Sequence, residues 1–292
     1  LAGFEAGIVL SGRGDQPELL TNSAPEENVR ESLPVLEKIP LKYTGLRDVT
    51  ILGIQRLTQY QGRKYCRKYL DRVESVLEVD GSQDKHVTTE FARELALWMS
   101  YEDVIRVAQI KSSASRMQNI RSEIKAPSGV PVKISEFLKP GIEELCSLLP
   151  RFMAAPLLRT CRKNGIVRRL NIGISLRTTT ISGFLMLWLL SRVKFLRPIG
   201  SRYREEQERI DEWVGDVRRA ARIDSDLAGS VVDLARLIKG YGETHHRGVQ
   251  NYLKIRQKLV TAALDGCGEP RVEGRAIRGA VEAALEDPEG QA

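Results

Sequence analysis

The stretch Ile210-Asp211-Glu212-Trp213-Val214-Gly215-Asp216-Val217-Arg218-Arg219-Ala220-Ala221-Arg222-Ile223-Asp224-Ser225-Asp226-Leu227-Ala228-Gly229-Ser230-Val231-Val232-Asp233-Leu234-Ala235-Arg236-Leu237-Ile238 settles the fold class. Ile210, Trp213, Val214, Val217 and Ala221 recur at intervals of three and four, so they share one face of a helix. Leu227, Val231, Leu234 and Ile238 repeat the pattern on a second helix, which Gly240 and Gly242 terminate. Outward from here the period persists. Tyr252, Ile255 and Leu259 point one way on the following segment, and Tyr65, Tyr69, Val73 and Val76 do so within residues 47–78. A further helix is expected from Thr88 or Thr89, either of which can cap it, to about Lys111. Its continuation carries Met117, Ile120 and Ile124.

Two stretches alternate with period two instead: Val130, Val132, Ile134, and Leu170, Ile172, Ile174, Leu176. A lone strand would leave its backbone groups unpaired, so these two are expected to pair with each other. Pro140 is suited to opening a helix between them. The fold class is therefore mainly α, a multi-helix bundle with a small two-stranded β element.

The chain has 292 residues, enough for one large domain or two smaller ones. Hydrophobic residues make up 42% and charged residues 28%, which excludes wholesale disorder. A net charge of +7 and a pI near 9.3 permit an anionic partner without selecting one. Cys66, Cys146, Cys161 and Cys267 lie too far apart for a compact cluster motif, and reduced thiols in a cytoplasmic protein are expected. The most apolar run, Phe184 to Leu190, is far shorter than the roughly 20 residues a membrane span needs. No metal site and no membrane partner is expected.

Residues 1–40 read as the tail of an upstream domain followed by a Gly-, Pro- and Asn-rich linker. The chain opens on Leu1 and is expected to be a fragment. Residues 41–265 form the helical domain. Residues 266–292 are expected to be a partly disordered tail with a short helix near Arg275–Leu285.

No common catalytic motif is present, and the catalytic residues stay unassigned. Two clusters stand out. On a wheel with Phe91 at zero, Leu95 falls at about 40°, Trp98 at about 340° and Ile105 at about 320°. Glu102 falls at about 20°, inside that apolar stripe, and Arg106 one turn on. A buried carboxylate needs a partner, so a buried or half-buried Glu102–Arg106 pair is expected, either as a functional polar cluster or as an ion pair that fixes packing. The second cluster is Lys239-Gly240-Tyr241-Gly242 with Thr244 and Arg247. Glycines allow close backbone approach, Thr244 can cap a helix, and a helix start beside cations can hold an anion. A tight turn with a solvated basic start would use the same residues. His245 and His246 are adjacent and point about 100° apart on a helix, so they cannot chelate one metal. Basic residues between Arg159 and Arg222 could form a nucleic-acid footprint. Glu205, Glu206, Glu208, Asp211 and Glu212 interleave the later ones, which favours solvated helix faces.

Three segments carry a resemblance: Leu237 to Gly248, Met99-Ser100-Tyr101-Glu102-Asp103-Val104-Ile105-Arg106-Val107-Ala108, and Glu136-Phe137-Leu138-Lys139-Pro140-Gly141. Over roughly Leu46 to Leu259 the chain resembles the C-terminal region of the indolepyruvate (2-oxoacid) ferredoxin oxidoreductase beta-subunit family. Residues 1–10 are similar to the tail of that family's gamma-type domain. Glu243, His245 and His246 depart from the commoner Asp-Thr-x-Arg-Arg form.

The resemblance implies an accessory region of a thiamine diphosphate-dependent aryl-pyruvate:ferredoxin oxidoreductase. That region would aid subunit assembly and could cover the active-site entrance. It implies an alpha-subunit partner that holds the thiamine diphosphate and the iron–sulfur clusters, with ferredoxin as an indirect partner and coenzyme A as a substrate. It implies no cofactor bound by this chain, which alone is expected to be inactive. The polar cluster Glu102, Arg106, Lys139 and Arg177 and the turn residues rest on position and chemistry only. Two alternatives stand beside this reading: a stand-alone basic helical module that binds nucleic acid or another polyanion, and a ligand-free scaffold.

Overall fold

The computed structural model describes residues 42–127, 130, 132–138, 174–240, 242–266 and 268–287, with isolated positions between 146 and 160. The architecture is mainly α. Along the chain come α1 (Thr44–Tyr60), α2 (Arg63–Leu77), α3 (His86–Met99), α4 (Val104–Lys111) and α5 (Ala114–Glu123). Strands β1 (Ser135–Leu138) and β2 (Ile174–Arg177) follow. Then come α6 (Ile181–Arg192), a 3₁₀ segment (Val193–Ile199), α7 (Ser201–Ile223) and α8 (Ser225–Asp233), which tightens into a 3₁₀ turn (Leu234–Leu237). Helix α9 (Gly242–Ile255) passes through a π turn (Arg256–Val260) into α10 (Thr261–Leu264), and α11 (Pro270–Glu286) ends the described chain.

One core joins α1, α2 and α3 to α7, α8 and the helices after them. α1 packs on α3, α7 on α8, α8 on α3 and α11, and α6 on α4. On α7 the buried stripe is Ile210, Trp213, Val214, Val217 and Ala220, so the periodicity read from sequence is the packing face. Ala221 is only partly buried against it. Leu227, Val231, Leu234 and Ile238 are all buried, as are Tyr65, Tyr69, Val73, Val76, Tyr252 and Ile255. The centre is aromatic. Phe91 stacks on Trp213 with centroids 4.8 Å apart, and Trp98 lies 5.3 Å from Trp213 and 5.4 Å from Tyr252. Trp213 Nε1 donates to the Val231 carbonyl at 2.9 Å, so its polar atom is satisfied inside the core.

Local chemistry sets the breaks. Asp224 ends α7 and caps α8, accepting from the amides of Asp226 and Leu227 at 2.9 and 3.0 Å. Asp80 pins the loop before α3. It accepts from Ser82, and from the Thr88 amide and hydroxyl at 2.9 and 2.6 Å. Burial alone would raise its carboxyl pKa, but these hydrogen bonds prevail and hold it below the usual range. Thr88 therefore lies inside α3, which starts at His86, and braces the loop where sequence expected a cap.

The two expected strands do pair, antiparallel, with Ser135 opposite Arg177 and Leu138 opposite Ile174. The first begins at Ser135, just beyond the alternating residues that suggested it. Pro131 lies among those residues and has no amide to give to a ladder. Leu170 and Ile172, the helix expected from Pro140, and residues 1–40 fall outside the described residues. The short helix expected near Arg275–Leu285 is present and is longer than expected. From Pro270 to Glu286 there is a helix of 17 residues that buries Gly274, Ile277 and Val281 against α8. Pro270 in its first turn is the start signal that marks it. No described helix is long and apolar enough to cross a membrane.

Candidate functional site

The segment between α3 and α4 organises the first polar centre. Sequence reading treated Phe91 to Arg106 as one continuous helix, but α3 stops at Met99 and α4 begins at Val104. The intervening residues shift the phase, so Glu102 is exposed and Asp103 faces the interior. The expected Glu102–Arg106 buried pair is thus overturned: Asp103 is the buried carboxylate and its partner is Arg197. Asp103 also caps α4, accepting from the Arg106 amide at 2.6 Å.

Arg197 arrives from the 3₁₀ segment after α6 and is 1% exposed. Its Nε donates to Asp103 Oδ2 at 2.5 Å and its Nη2 to Oδ1 at 2.9 Å, a two-point pair. Its Nη1 donates to the Tyr60 carbonyl and to Gln61 Oε1, both at 2.8 Å. The guanidinium lies 3.7 Å above the Tyr60 ring centre. Burial would depress its pKa, but Asp103 more than compensates and raises it. Around this pair sit Tyr65 and Tyr101, each 5.9 Å from the Tyr60 ring, with Tyr203 5.8 Å from Tyr65. Tyr65 donates to the Met99 carbonyl at 2.8 Å and accepts from Gln207 at 3.0 Å.

Arg106 is buried, as sequence suggested, at 7% exposure. Its Nε has no hydrogen-bond partner, and the same holds for the buried Tyr60 hydroxyl. Arg56 lies half-buried beside it and donates to the Ser100 hydroxyl. Burial, then the Arg106 charge, brings the Arg56 pKa down to about 10. Of the described residues expected to form a polar cluster, Arg106 is the one buried in this network. Glu102 and Arg177 are exposed, and Lys139 lies outside the described residues.

A second centre surrounds Glu206 on α7, which is fully buried. Trp98 Nε1 donates to its Oε2 at 2.9 Å. His245 Nε2 and Arg209 Nη1 approach Oε1 to 2.9 and 3.0 Å, at ion-pair distance without hydrogen-bond alignment. Burial would raise the carboxyl pKa, but His245, Arg209 and Trp98 overcome this and hold it at about 2.

This geometry recasts the glycine-rich turn. Gly240 and Gly242 have φ of 73° and 59°, the left-handed conformation that glycine tolerates. Helix α9 begins at Gly242, so Thr244 lies inside it and exposed, not at the cap. Lys239 is exposed and Arg247 half-buried, and Tyr241 lies outside the described residues. His245 faces inward to Glu206, which takes its imidazole away from the rim. The close approach that the glycines suggested occurs further on: a Cβ on Gly248 would lie 2.1 Å from the Leu237 carbonyl oxygen.

Sequence analysis placed Glu206 among the acids of solvated helix faces, yet it is fully buried, and Asp103, Arg197, Arg56 and Tyr60 were not singled out as site residues. Asp103 before Val104-Ile105 carries a cap signal, and Glu206 sits four residues before Ile210 on the α7 stripe. Nothing local marks Arg197. Among the described residues no group of histidine, cysteine or acidic side chains could hold a metal, and Cys66 and Cys146 are buried.

Together these observations define a helical domain whose interior holds the Asp103–Arg197 pair, drawn from two distant elements, and Glu206, which meets Arg209 of its own helix and His245 of α9. Residues 46–258 match a family of unknown function, DUF6537, and the chain belongs to that family. No curated protein and no solved structure matches it.

Proposed function

We propose that this helical domain is an accessory, subunit-docking region of a thiamine diphosphate-dependent 2-oxoacid:ferredoxin oxidoreductase of the indolepyruvate type. The cofactor and the iron–sulfur clusters lie in the partner alpha subunit, ferredoxin acts through that subunit, and the assembly is cytoplasmic. Coenzyme A is a substrate of the whole enzyme, and the chain alone is inactive.

The observation that carries the docking role is the apolar surface of α6 and the 3₁₀ segment after it. Ile181, Phe184, Leu185, Met186, Trp188 and Leu189 are all exposed, with Phe195, Leu196 and Ile199 beyond them. Leu187, on the same helix, is buried, so α6 is anchored by one side while the rest faces outward. Surfaces of this kind mark interaction sites. The polyanion alternative has weaker support, because acidic partners engage many of the arginines. Arg72 pairs with Asp211, Arg219 with Asp265, Arg256 with Glu212 and Asp216, and Arg278 with Asp233.

Co-expression with a thiamine diphosphate-containing alpha subunit tests the proposal. The full-length protein should co-purify with it, and Leu185→Asp combined with Leu189→Asp should abolish the complex while the far-UV circular dichroism stays unchanged. An undiminished complex in the double variant, or no complex with the native sequence, would refute it.

A further inference from the structure

The Arg56–Arg106 corner holds more positive charge than its surroundings balance. Three guanidiniums meet there: Arg56, Arg106 and Arg197. Among the described residues two carboxylates face them, Asp103 and Glu102. Asp103 is committed to Arg197 by a two-point pair, and Arg197 uses its remaining donors on the Tyr60 carbonyl and Gln61. Arg56 and Arg106 are left with Glu102, which is exposed to water. Burial first, then the Arg106 charge, lowers the Arg56 pKa, and burial first, with the Arg197 charge adding to it, lowers that of Arg106, so both titrate below the usual arginine range. A buried cation without a compensating partner costs several kcal/mol.

Two donors in this corner also lack acceptors. The Arg106 Nε is buried with no hydrogen-bond partner, on a residue more than nine-tenths buried. The Tyr60 hydroxyl is likewise unpaired on a fully buried residue, and the Tyr60 ring is the one beneath Arg197. The Arg106 Nε can only donate and the Tyr60 hydroxyl can donate as well as accept, in a region of surplus positive charge. A water molecule would satisfy the hydrogen bonds but leave the charge. An oxyanion satisfies both, and the planar guanidinium fork suits carboxylate and phosphate oxygens.

We infer that Arg56 and Arg106, with the Tyr60 hydroxyl, form a binding site for a small oxyanion, a carboxylate or phosphate group on a soluble ligand. Ser100 holds Arg56 through its hydroxyl, and α4, capped by Asp103, fixes the backbone that presents Arg106. Its residues lie on α1 and α4 and not on the exposed face of α6, and its test reads anion binding by this chain without the partner subunit, so either reading can fail without the other.

Isothermal titration of the 292-residue chain with inorganic phosphate, and separately with acetate, at constant ionic strength tests this. Saturable one-to-one binding of at least one of the two is expected, and the better binder shows which oxyanion the corner prefers. Arg56→Gln and Arg106→Gln should each weaken that binding by about tenfold or more, since loss of one charge-assisted contact is worth at least about 1.4 kcal/mol. Arg236→Gln, an exposed arginine paired with Asp233, should bind as the native chain does. If Arg106→Gln does not fold, the half-buried Arg56→Gln decides. Absence of saturable heat for both anions, or native-like binding in Arg56→Gln, overturns the assignment.

Discussion

Asp103 and Arg197, 94 residues apart, form a two-point ion pair in which both side chains are almost wholly buried. The pair ties the start of α4 to the 3₁₀ segment after α6, and through Tyr60 it also holds the end of α1. Removing one partner leaves the other charge desolvated. Arg197→Met should therefore cost about 3–5 kcal/mol in urea denaturation. Asp103→Leu should cost more, because it also removes the cap of α4, worth about 1 kcal/mol. The combined Asp103→Leu, Arg197→Met variant should recover most of the loss. A double variant as unstable as the sum of the singles would show that the two charges act separately.

The Glu206 centre sets an acid limit. Its carboxyl pKa falls from an ordinary 4.5 to about 2 in the folded chain. The lowered value means the unfolded chain binds the proton more tightly. The stabilisation is then fully present above about pH 4.5 and is lost as pH falls from there through about 2. Glu206→Gln should lose on the order of 3 kcal/mol at pH 7 and converge on the native stability near pH 2. A difference between the two proteins that is constant with pH would contradict the ion-pair origin.

Glu94 behaves with the opposite sign. Burial first, with the neighbouring Glu90 adding to it against Arg236, raises its carboxyl pKa to about 7. A raised acid favours the protonated fold, so its contribution is complete below about pH 4.5 and disappears as pH rises through 7. Glu94→Gln should stabilise the chain at pH 8 by about 1–2 kcal/mol, discounting for its partial exposure, and change little at pH 4. Thermal melts of the two proteins across that range give the comparison directly.

Helical periodicity made the bundle legible, because each long helix buries a single stripe whose spacing survives in the sequence. Tyr65 to Val76 and Ile210 to Ile238 are examples. The strand pair was also legible, since two alternating segments in a helical chain have no other partner. What failed was phase. The wheel from Phe91 carried Glu102 into the core because nothing in it registered that the backbone turns at Ser100. Asp103 was readable as a cap, and that reading would have reset the wheel. Glu206 was readable by the same reasoning applied to α7. Arg197 was not: its burial depends on Asp103, Tyr60 and Gln61, brought to it by tertiary packing alone. The glycine-rich turn misled for a related reason. His245 looked like a surface cation only while the carboxylate behind it, on another helix, was unknown.

Gly248 and Gly215 separate tight packing from helix propensity. Both lie inside helices, where alanine is normally preferred by about 1 kcal/mol. A Cβ on Gly215 meets no atom within 4 Å, so Gly215→Ala should stabilise the chain by about 0.5–1 kcal/mol. A Cβ on Gly248 would lie 2.1 Å from the backbone oxygen of Leu237, which cannot rotate away as a side chain could. Gly248→Ala must push α9 off the Leu234–Leu237 turn, and overpacking of this kind costs about 1–3 kcal/mol. The shift would also move His245 away from Glu206, since both residues depend on the seating of α9. Gly248→Ala should therefore lose stability at neutral pH and lose part of the acid dependence assigned to Glu206. Stability measured between pH 2 and 7 for this variant distinguishes the two effects: a uniform loss at every pH means that the helix moves without disturbing the ion pair.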